Sequence, residues 1–178
     1  MNKIVGKEYL SEKIVKLEVE APLIAKSRRA GHFVIVRVGE KGERIPYTIA
    51  SSDTKRGTIT LVIQLVGKSS QKVGALEVGD YITDLVGPLG KATNIEKFGT
   101  VVCAGGGVGI APMLPIIEAM SKAGNKVIAV LGARTKDLVI LEDQVKAFAD
   151  EVIVMTDDGS YGNKGLITEG IEKIINRE

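Results

Sequence analysis

Apolar and polar residues alternate along the first half of the chain, and from about residue 99 apolar runs take turns with helical patterns. Val15, Leu17 and Val19 alternate with charged residues, the period-two mark of a strand buried on one face. Phe33–Val38 is β-branched and follows a glycine, Arg44–Ser51 is an extended stretch entered through Pro46, and Thr58–Val66 places Ile and Leu at alternate positions. Asp80–Val86 reads as another strand, ending in the turn Gly87-Pro88-Leu89-Gly90. Short strands separated by turns predict a small antiparallel β-barrel over residues 1–95. One break interrupts it: Gly67-Lys68-Ser69-Ser70 leads into a short helix over Gln71–Leu76. A helix start carrying one Lys and two Ser is a candidate phosphate seat.

The pattern changes near residues 92–99. Val101–Ala104, Lys126–Leu131 and Glu151–Met155 read as strands, each followed by a helix, over Ile110–Ala123, Leu138–Ala149 and Leu166–Asn176. Strict β-α alternation predicts a parallel sheet with right-handed crossovers. The fold class is therefore two-domain: an antiparallel barrel over 1–95, then an α/β nucleotide-binding domain over 96–178. Its three strands can lie in the order 3-2-1.

Charge and composition narrow the chemistry. The net charge is +2, and four Tyr, three Phe and no Trp leave neither a basic surface nor a stacking platform for nucleic acid. No apolar run reaches the ~18 residues of a membrane span, and the N-terminus has no apolar signal region, so a cytoplasmic location is expected. With one Cys and one His in 178 residues, neither a structural zinc site nor an internal disulfide is expected, and no metal ligands are assigned. His32 reads as a turn residue at the mouth of a strand, and Cys103 as a small buried hydrophobe. With little acid–base chemistry of its own, the chain needs a cofactor for any redox work.

Residues 101–112, Val-Val-Cys-Ala-Gly-Gly-Gly-Val-Gly-Ile-Ala-Pro, read as strand, glycine turn and helix. Glycines permit close backbone approach and positive φ, and the N-terminus of the following helix attracts a pyrophosphate. The spacing is not G-x-G-x-x-G, because Ile110 and Pro112 stand where the last glycine would be. Two readings stand for this stretch, a dinucleotide cradle and a turn without a ligand. Polar loops gather where the second and third strands of the sheet end, at Gly132-Ala133-Arg134-Thr135 and at Thr156–Gly162. Arg134 occupies roughly the place where an acidic residue would bind a ribose. It reads either as a partner for a 2′-phosphate or as a solvated loop charge.

With these residues in place, the chain resembles the ferredoxin–NADP⁺ reductase superfamily. Within it, the resemblance is to the small FAD/NAD subunits of multi-subunit flavoproteins, of the kind in NADH-dependent ferredoxin:NADP⁺ oxidoreductase (sulfide dehydrogenase) and in dihydroorotate dehydrogenase. Arg44-Ile45-Pro46-Tyr47-Thr48 is similar to that family's R-x-Y-[ST] flavin segment, with one extra residue between Arg and Tyr. The resemblance implies that Arg44, Pro46, Tyr47, Thr48 and Ile49 hold FAD, with Tyr47 packing on it and Thr48, the one residue given a catalytic place, offering its hydroxyl to flavin N5. It further implies that Gly67, Lys68, Ser69 and Ser70 receive the FAD pyrophosphate. Gly105, Gly106, Gly107, Val108 and Gly109, up to Pro112, match the family's G-G-x-G-x-x-P nicotinamide-dinucleotide turn. Arg134, Asp157, Gly159, Ser160 and Tyr161 match its nucleotide-facing loops.

The resemblance implies a flavoprotein oxidoreductase that passes reducing equivalents between NAD(P)H and an iron–sulfur or ferredoxin partner, docked on a larger catalytic subunit. The small subunits carry a [2Fe–2S] cluster on four C-terminal cysteines, so the cluster is expected only in a continuation beyond Glu178. The chain is accordingly expected to be a truncated form that binds FAD fully but accepts hydride poorly. A non-catalytic FAD- or nucleotide-binding assembly module and a stand-alone flavin reductase are the rival readings.

Overall fold

The computed structural model describes residues 2–177, and the chain divides into two units between Thr93 and Asn94. The first unit runs through β1 (Asn2–Ser11), β2 (Ile14–Glu20), α1 (Pro22–Ser27), β3 (Phe33–Arg37), β4 (Ile45–Asp53), β5 (Thr58–Gln64), α2 (Lys68–Gly74), β6 (Tyr81–Ile82) and β7 (Asp84–Leu89). Its strands form one sheet in the order β6-β1-β2-β5-β4-β3-β7, with antiparallel pairing. Only Thr83 separates β6 from β7, yet these strands lie at opposite ends of that order. One residue advances the chain by about 3.5 Å. The two edges must therefore lie side by side, and the sheet curls into a nearly closed barrel.

The alternation seen in the sequence fills this barrel. Val15, Leu17 and Val19 of β2 meet Val34, Val36, Ile49, Ile59, Leu61 and Ile63 in a single buried core. Each such side chain contributes about 1.5–3 kcal/mol by leaving water. Three local expectations change. The helix expected over Gln71–Leu76 begins at Lys68, because the Ser70 hydroxyl accepts the N–H groups of Val66 and Gly67 and so stops the strand early. The single strand expected over Asp80–Val86 is two strands on opposite edges. Gly87-Pro88-Leu89, read as a turn, continues β7. There Gly87 passes so close to Val34 that a Cβ would come within 2.6 Å of its side chain.

The second unit contains β8 (Thr100–Gly106), α3 (Ile110–Lys122), β9 (Lys126–Ala133), α4 (Glu142–Lys146), β10 (Glu151–Thr156), β11 (Asn163–Lys164) and α5 (Ile167–Ile175). The sheet is parallel, in the order β11-β10-β9-β8. The three long strands thus lie 3-2-1, and the two-residue β11, absent from the sequence reading, adds to the outside of β10. One face of the sheet, Ile128, Val130, Ile153 and Met155, packs under Ile167, Ile171 and Ile174 of α5. α3 lies against β8 and β9. The helix expected over Leu138–Ala149 is shorter: a 3₁₀ turn over Lys136–Leu138 is followed by an extended Val139, and α4 starts only at Glu142. The break falls at Leu141, whose φ of 58° cannot continue a right-handed helix.

Asn125 fastens the entry to this unit. Its buried amide oxygen accepts the N–H groups of Phe98 (2.6 Å) and Gly99 (3.0 Å), and its NH₂ donates to the carbonyls of Glu96 (2.8 Å) and Met120 (2.9 Å). Replacing Asn125 with Ala leaves these backbone groups without partners. We expect Asn125→Ala to destabilise the second unit by about 2–4 kcal/mol in urea unfolding. A loss below about 0.5 kcal/mol would show that water replaces the amide at no cost.

Candidate functional site

Each unit carries one candidate site. In the first unit a cavity of about 610 Å³ opens between the segment joining β3 to β4 and the segment joining β5 to α2. Val38, Lys41, Gly42, Glu43 and Ile45 form one wall, and residues from Val66 to Val73 form the other. Gly67, Lys68, Ser69 and Ser70 all line it. So do Lys41, Lys72 and Glu43, which the sequence reading did not select. Their signal was weak: Gly39 to Gly42 is a glycine-bounded turn of charged residues, and nothing in it fixes which charge faces inward.

The two serines differ. The Ser70 hydroxyl accepts from Val66 (3.1 Å) and Gly67 (3.0 Å) and donates to the Gly67 carbonyl (2.9 Å), so its bonding capacity is spent. The Ser69 hydroxyl donates to the Glu43 carboxylate. Three lysines, Lys41, Lys68 and Lys72, share the lining with this one carboxylate, a net positive lining that suits a ligand of negative charge. Arg44 is not on the lining. Its guanidinium donates to Asp84 (3.1 Å), which also pairs with Arg37 (2.5 Å), so one carboxylate serves two cations.

Strand alternation divides the β4 residues. Tyr47 pairs with the buried Val34, and Tyr47 packs against the barrel core of which Ile49 is part. Pro46 and Thr48 pair with Ile35 and Phe33 and therefore lie on the outer face. Ile45 shares the inner face with Tyr47 and lines the cavity, so the tyrosine is the next inward side chain along the strand. The Tyr47 hydroxyl is buried without a hydrogen-bond partner, and burial pushes its pKa up to about 12. His32, by contrast, accepts the Arg29 N–H at Nδ1 (3.1 Å) and shapes a turn.

In the second unit the selected residues gather at the carboxyl end of the sheet. Gly105 and Gly106 end β8, Gly107 to Gly109 make one 3₁₀ turn, and α3 begins at Ile110. These glycines are there for different reasons. A Cβ on Gly105 would come within 3.0 Å of the Gly109 carbonyl oxygen, and Gly107 has φ +54°. Gly109 has φ −63° and nothing within 4 Å of a Cβ, so neither strain nor packing requires glycine there. Open space above a glycine turn is what a phosphate-bearing ligand needs.

Arg134 follows β9 and is exposed, and its carbonyl accepts the Asp158 N–H. The Asp158 carboxylate accepts the N–H (2.9 Å) and hydroxyl (2.7 Å) of Ser160, which hold its pKa below the usual range. The Ser160 hydroxyl also accepts the Lys136 N–H (2.9 Å). The Tyr161 hydroxyl donates to Glu142 (3.0 Å), and the Lys136 ammonium lies over its ring at 5.5 Å. Asp157, Gly159, Ser160 and Tyr161 thus belong to one loop stitched to the segment after β9. Lys136 and Glu142, which the sequence reading passed over, do the stitching. Cys103 is buried in β8, and burial raises its thiol pKa.

Known proteins can be set beside this geometry. A family model described as "Oxidoreductase FAD-binding domain" matches residues 2–94. A dihydroorotate dehydrogenase B (NAD⁺) electron transfer subunit homolog from Thermotoga maritima is 43% identical over 175 residues, covering 98% of this chain and 62% of its own. The corresponding electron transfer subunit from Bacillus caldolyticus is 31% identical, covering 95% of this chain and 67% of its own. A solved structure of an NADH-dependent reduced ferredoxin-NADP oxidoreductase, described in connection with flavin-based electron bifurcation, superposes with a TM-score of 0.94. It is 41% identical and covers all of this chain and 64% of its own. The chain thus spans a little under two thirds of the Thermotoga protein and of the solved chain. Among the described residues, no helix is long and apolar enough to cross a membrane.

The Tyr47 hydroxyl yields a prediction that needs no ligand. Its pKa is raised in the folded state, so the protein gains from keeping it neutral below about pH 10 and loses that gain as pH rises through about 12. Tyr47→Phe should be at least as stable as wild type at neutral pH, gaining at most about 1–3 kcal/mol by removing an unpaired buried hydroxyl. It should also lose less stability than wild type when urea unfolding is repeated at about pH 11. Identical pH dependence in the two proteins would mean that the hydroxyl is solvated.

Proposed function

Because this chain belongs to the oxidoreductase FAD-binding domain family, we propose that it is the FAD- and nicotinamide-binding part of an electron-transfer subunit. In this reading it passes reducing equivalents between NAD(P)H and an iron–sulfur or ferredoxin acceptor, beside a larger catalytic subunit. One observation carries the proposal: the matched residues 2–94 contain a cavity whose lining holds three lysines against one carboxylate.

The residues fit the cofactor. Lys41, Lys68 and Lys72 supply positive charge around a diphosphate, and Ser69 supplies a hydroxyl donor. Arg44, sharing Asp84 with Arg37, adds a cation only partly neutralised. The Tyr47 hydroxyl lacks a partner that a flavin or its ribityl chain would provide, and Pro46, Thr48 and Ile49 extend the same strand. Thr48 has the hydroxyl suited to a hydrogen bond at flavin N5. Held by these residues, FAD would supply the hydride-accepting and one-electron chemistry that the chain's own side chains lack.

For the nicotinamide dinucleotide, Gly106 to Gly109 offer open backbone for the pyrophosphate. Arg134 and the Asp157–Tyr161 loop stand at the end of the same sheet for the adenosine half. The stitched loop holds its donors and acceptors before any ligand arrives, which lowers the ordering cost of binding. No side chain need act as a general base, since hydride transfer depends on holding the reacting atoms together.

Titration calorimetry with NADH and NADPH tests the second site. Gly109 is free of backbone strain and packing, so Gly109→Val should fold normally and lose both nucleotides while retaining FAD. Arg134→Ala should weaken NADPH roughly tenfold or more and spare NADH, if its guanidinium pairs with the 2′-phosphate. Unchanged nucleotide affinity in Gly109→Val would place the dinucleotide elsewhere, and an equal effect of Arg134→Ala on both nucleotides would remove Arg134 from specificity.

A further inference from the structure

We propose that Glu43 is a built-in competitor for the flavin diphosphate: its carboxylate holds the Ser69 hydroxyl and must leave before the phosphates can seat. The proposal rests on the reading of the first unit's cavity as the FAD diphosphate site. It adds a residue that sets how tightly, and how selectively, that site is filled.

Glu43 is the one acidic residue on the cavity lining, which it shares with Lys41 on its own wall and with Lys68 and Lys72 on the other. Of the two serine hydroxyls in Gly67–Ser70, Ser70 is fully committed to Val66 and Gly67. Only Ser69 is available to an incoming acceptor, and Glu43 takes it. A carboxylate and a phosphate ask the same of a hydroxyl, since both are charged acceptors without a proton to give. Glu43 therefore presents the site with its own anion.

The same segment that brings Glu43 in leaves it easy to displace. Its turn is anchored upstream, where the Gly39 N–H donates to the Thr83 hydroxyl (2.8 Å) and the Gly42 N–H donates to the Gly39 carbonyl (3.1 Å). Beyond that anchor Glu43 is exposed, and among the described residues Ser69 is its only hydrogen-bond partner. Swinging it away breaks one exposed hydrogen bond and leaves the pocket's three ammonium groups without their local counter-charge. A ligand with two negative charges is repelled while Glu43 is in place and gains when it departs. A neutral flavin experiences neither effect.

The apparent affinity of such a site is reduced by the fraction of molecules in which the competitor is seated. For one exposed hydrogen bond plus a like-charge repulsion, that reduction is roughly three- to tenfold. Flavin-free wild type, Glu43→Gln and Glu43→Ala are titrated with FAD and with riboflavin, which lacks the diphosphate. We expect either variant to bind FAD roughly three- to tenfold tighter than wild type, with the gain shrinking as salt is added and riboflavin affinity unchanged. Unchanged or weaker FAD binding in both variants, with wild type binding FAD normally, would overturn the role of Glu43 and leave the site reading intact. Equal tightening of riboflavin would also overturn it, because the effect would not act through phosphate. Failure of all three proteins to bind FAD would overturn the site reading and the role of Glu43 together.

Discussion

The first unit depends on a closure made at a single residue. Thr83 alone links the two edge strands of a seven-stranded sheet, so the barrel closes wherever Thr83 sits. What surrounds that point follows from it. Asp84, the next residue, faces Arg37 across the β3–β7 pair and gathers Arg44 as well. The Thr83 hydroxyl takes the Gly39 N–H and so fixes where the following turn leaves the barrel. That turn carries Lys41 and Glu43 to the cavity facing Gly67–Ser70. A covalent constraint of the fold thereby places the charges of the site.

The site proposed in the second unit is built differently, on exposed backbone, on the start of a thirteen-residue helix and on space left by Gly107 and Gly109. The segments after β9 and β10 are cross-linked by the bonds of Ser160 to Lys136 and of Tyr161 to Glu142. In the proposed reading the first site thus depends on displacing a charge and the second on a surface of linked loops.

Much of this was legible in the sequence, because the dominant signals are local. Period-two alternation located β2 and β5, a β-branched run after a glycine located β3, and β-α alternation made 3-2-1 an available order for the three long parallel strands, since the crossover rule leaves few other arrangements. The glycine stretch 105–109 marked the strand-to-helix turn for the same reason. What escaped depended on distant partners. The split between β6 and β7 is set by which sheet edge each strand meets, which no run of apolar residues encodes. The break at Leu141 follows the β-branched pair Val139-Ile140 and falls where Ile140 and Leu141 are drawn into the core. Lys41, Glu43 and Lys72 belong to no motif, and only the pairing of two separate segments makes them a lining. Arg44, which stood out beside Pro46-Tyr47-Thr48, turns to Asp84, forty residues away in sequence.

In the proposed function, reducing equivalents from a nicotinamide reach a flavin held by this chain. The decisive experiment is to load the protein with FAD, exclude oxygen, add NADH or NADPH in separate runs, and follow the visible absorbance of the flavin to equilibrium. The oxidised flavin absorbance is expected to disappear with at least one of the two nucleotides. Unchanged flavin absorbance, with FAD and both nucleotides shown to be bound, would overturn the proposal.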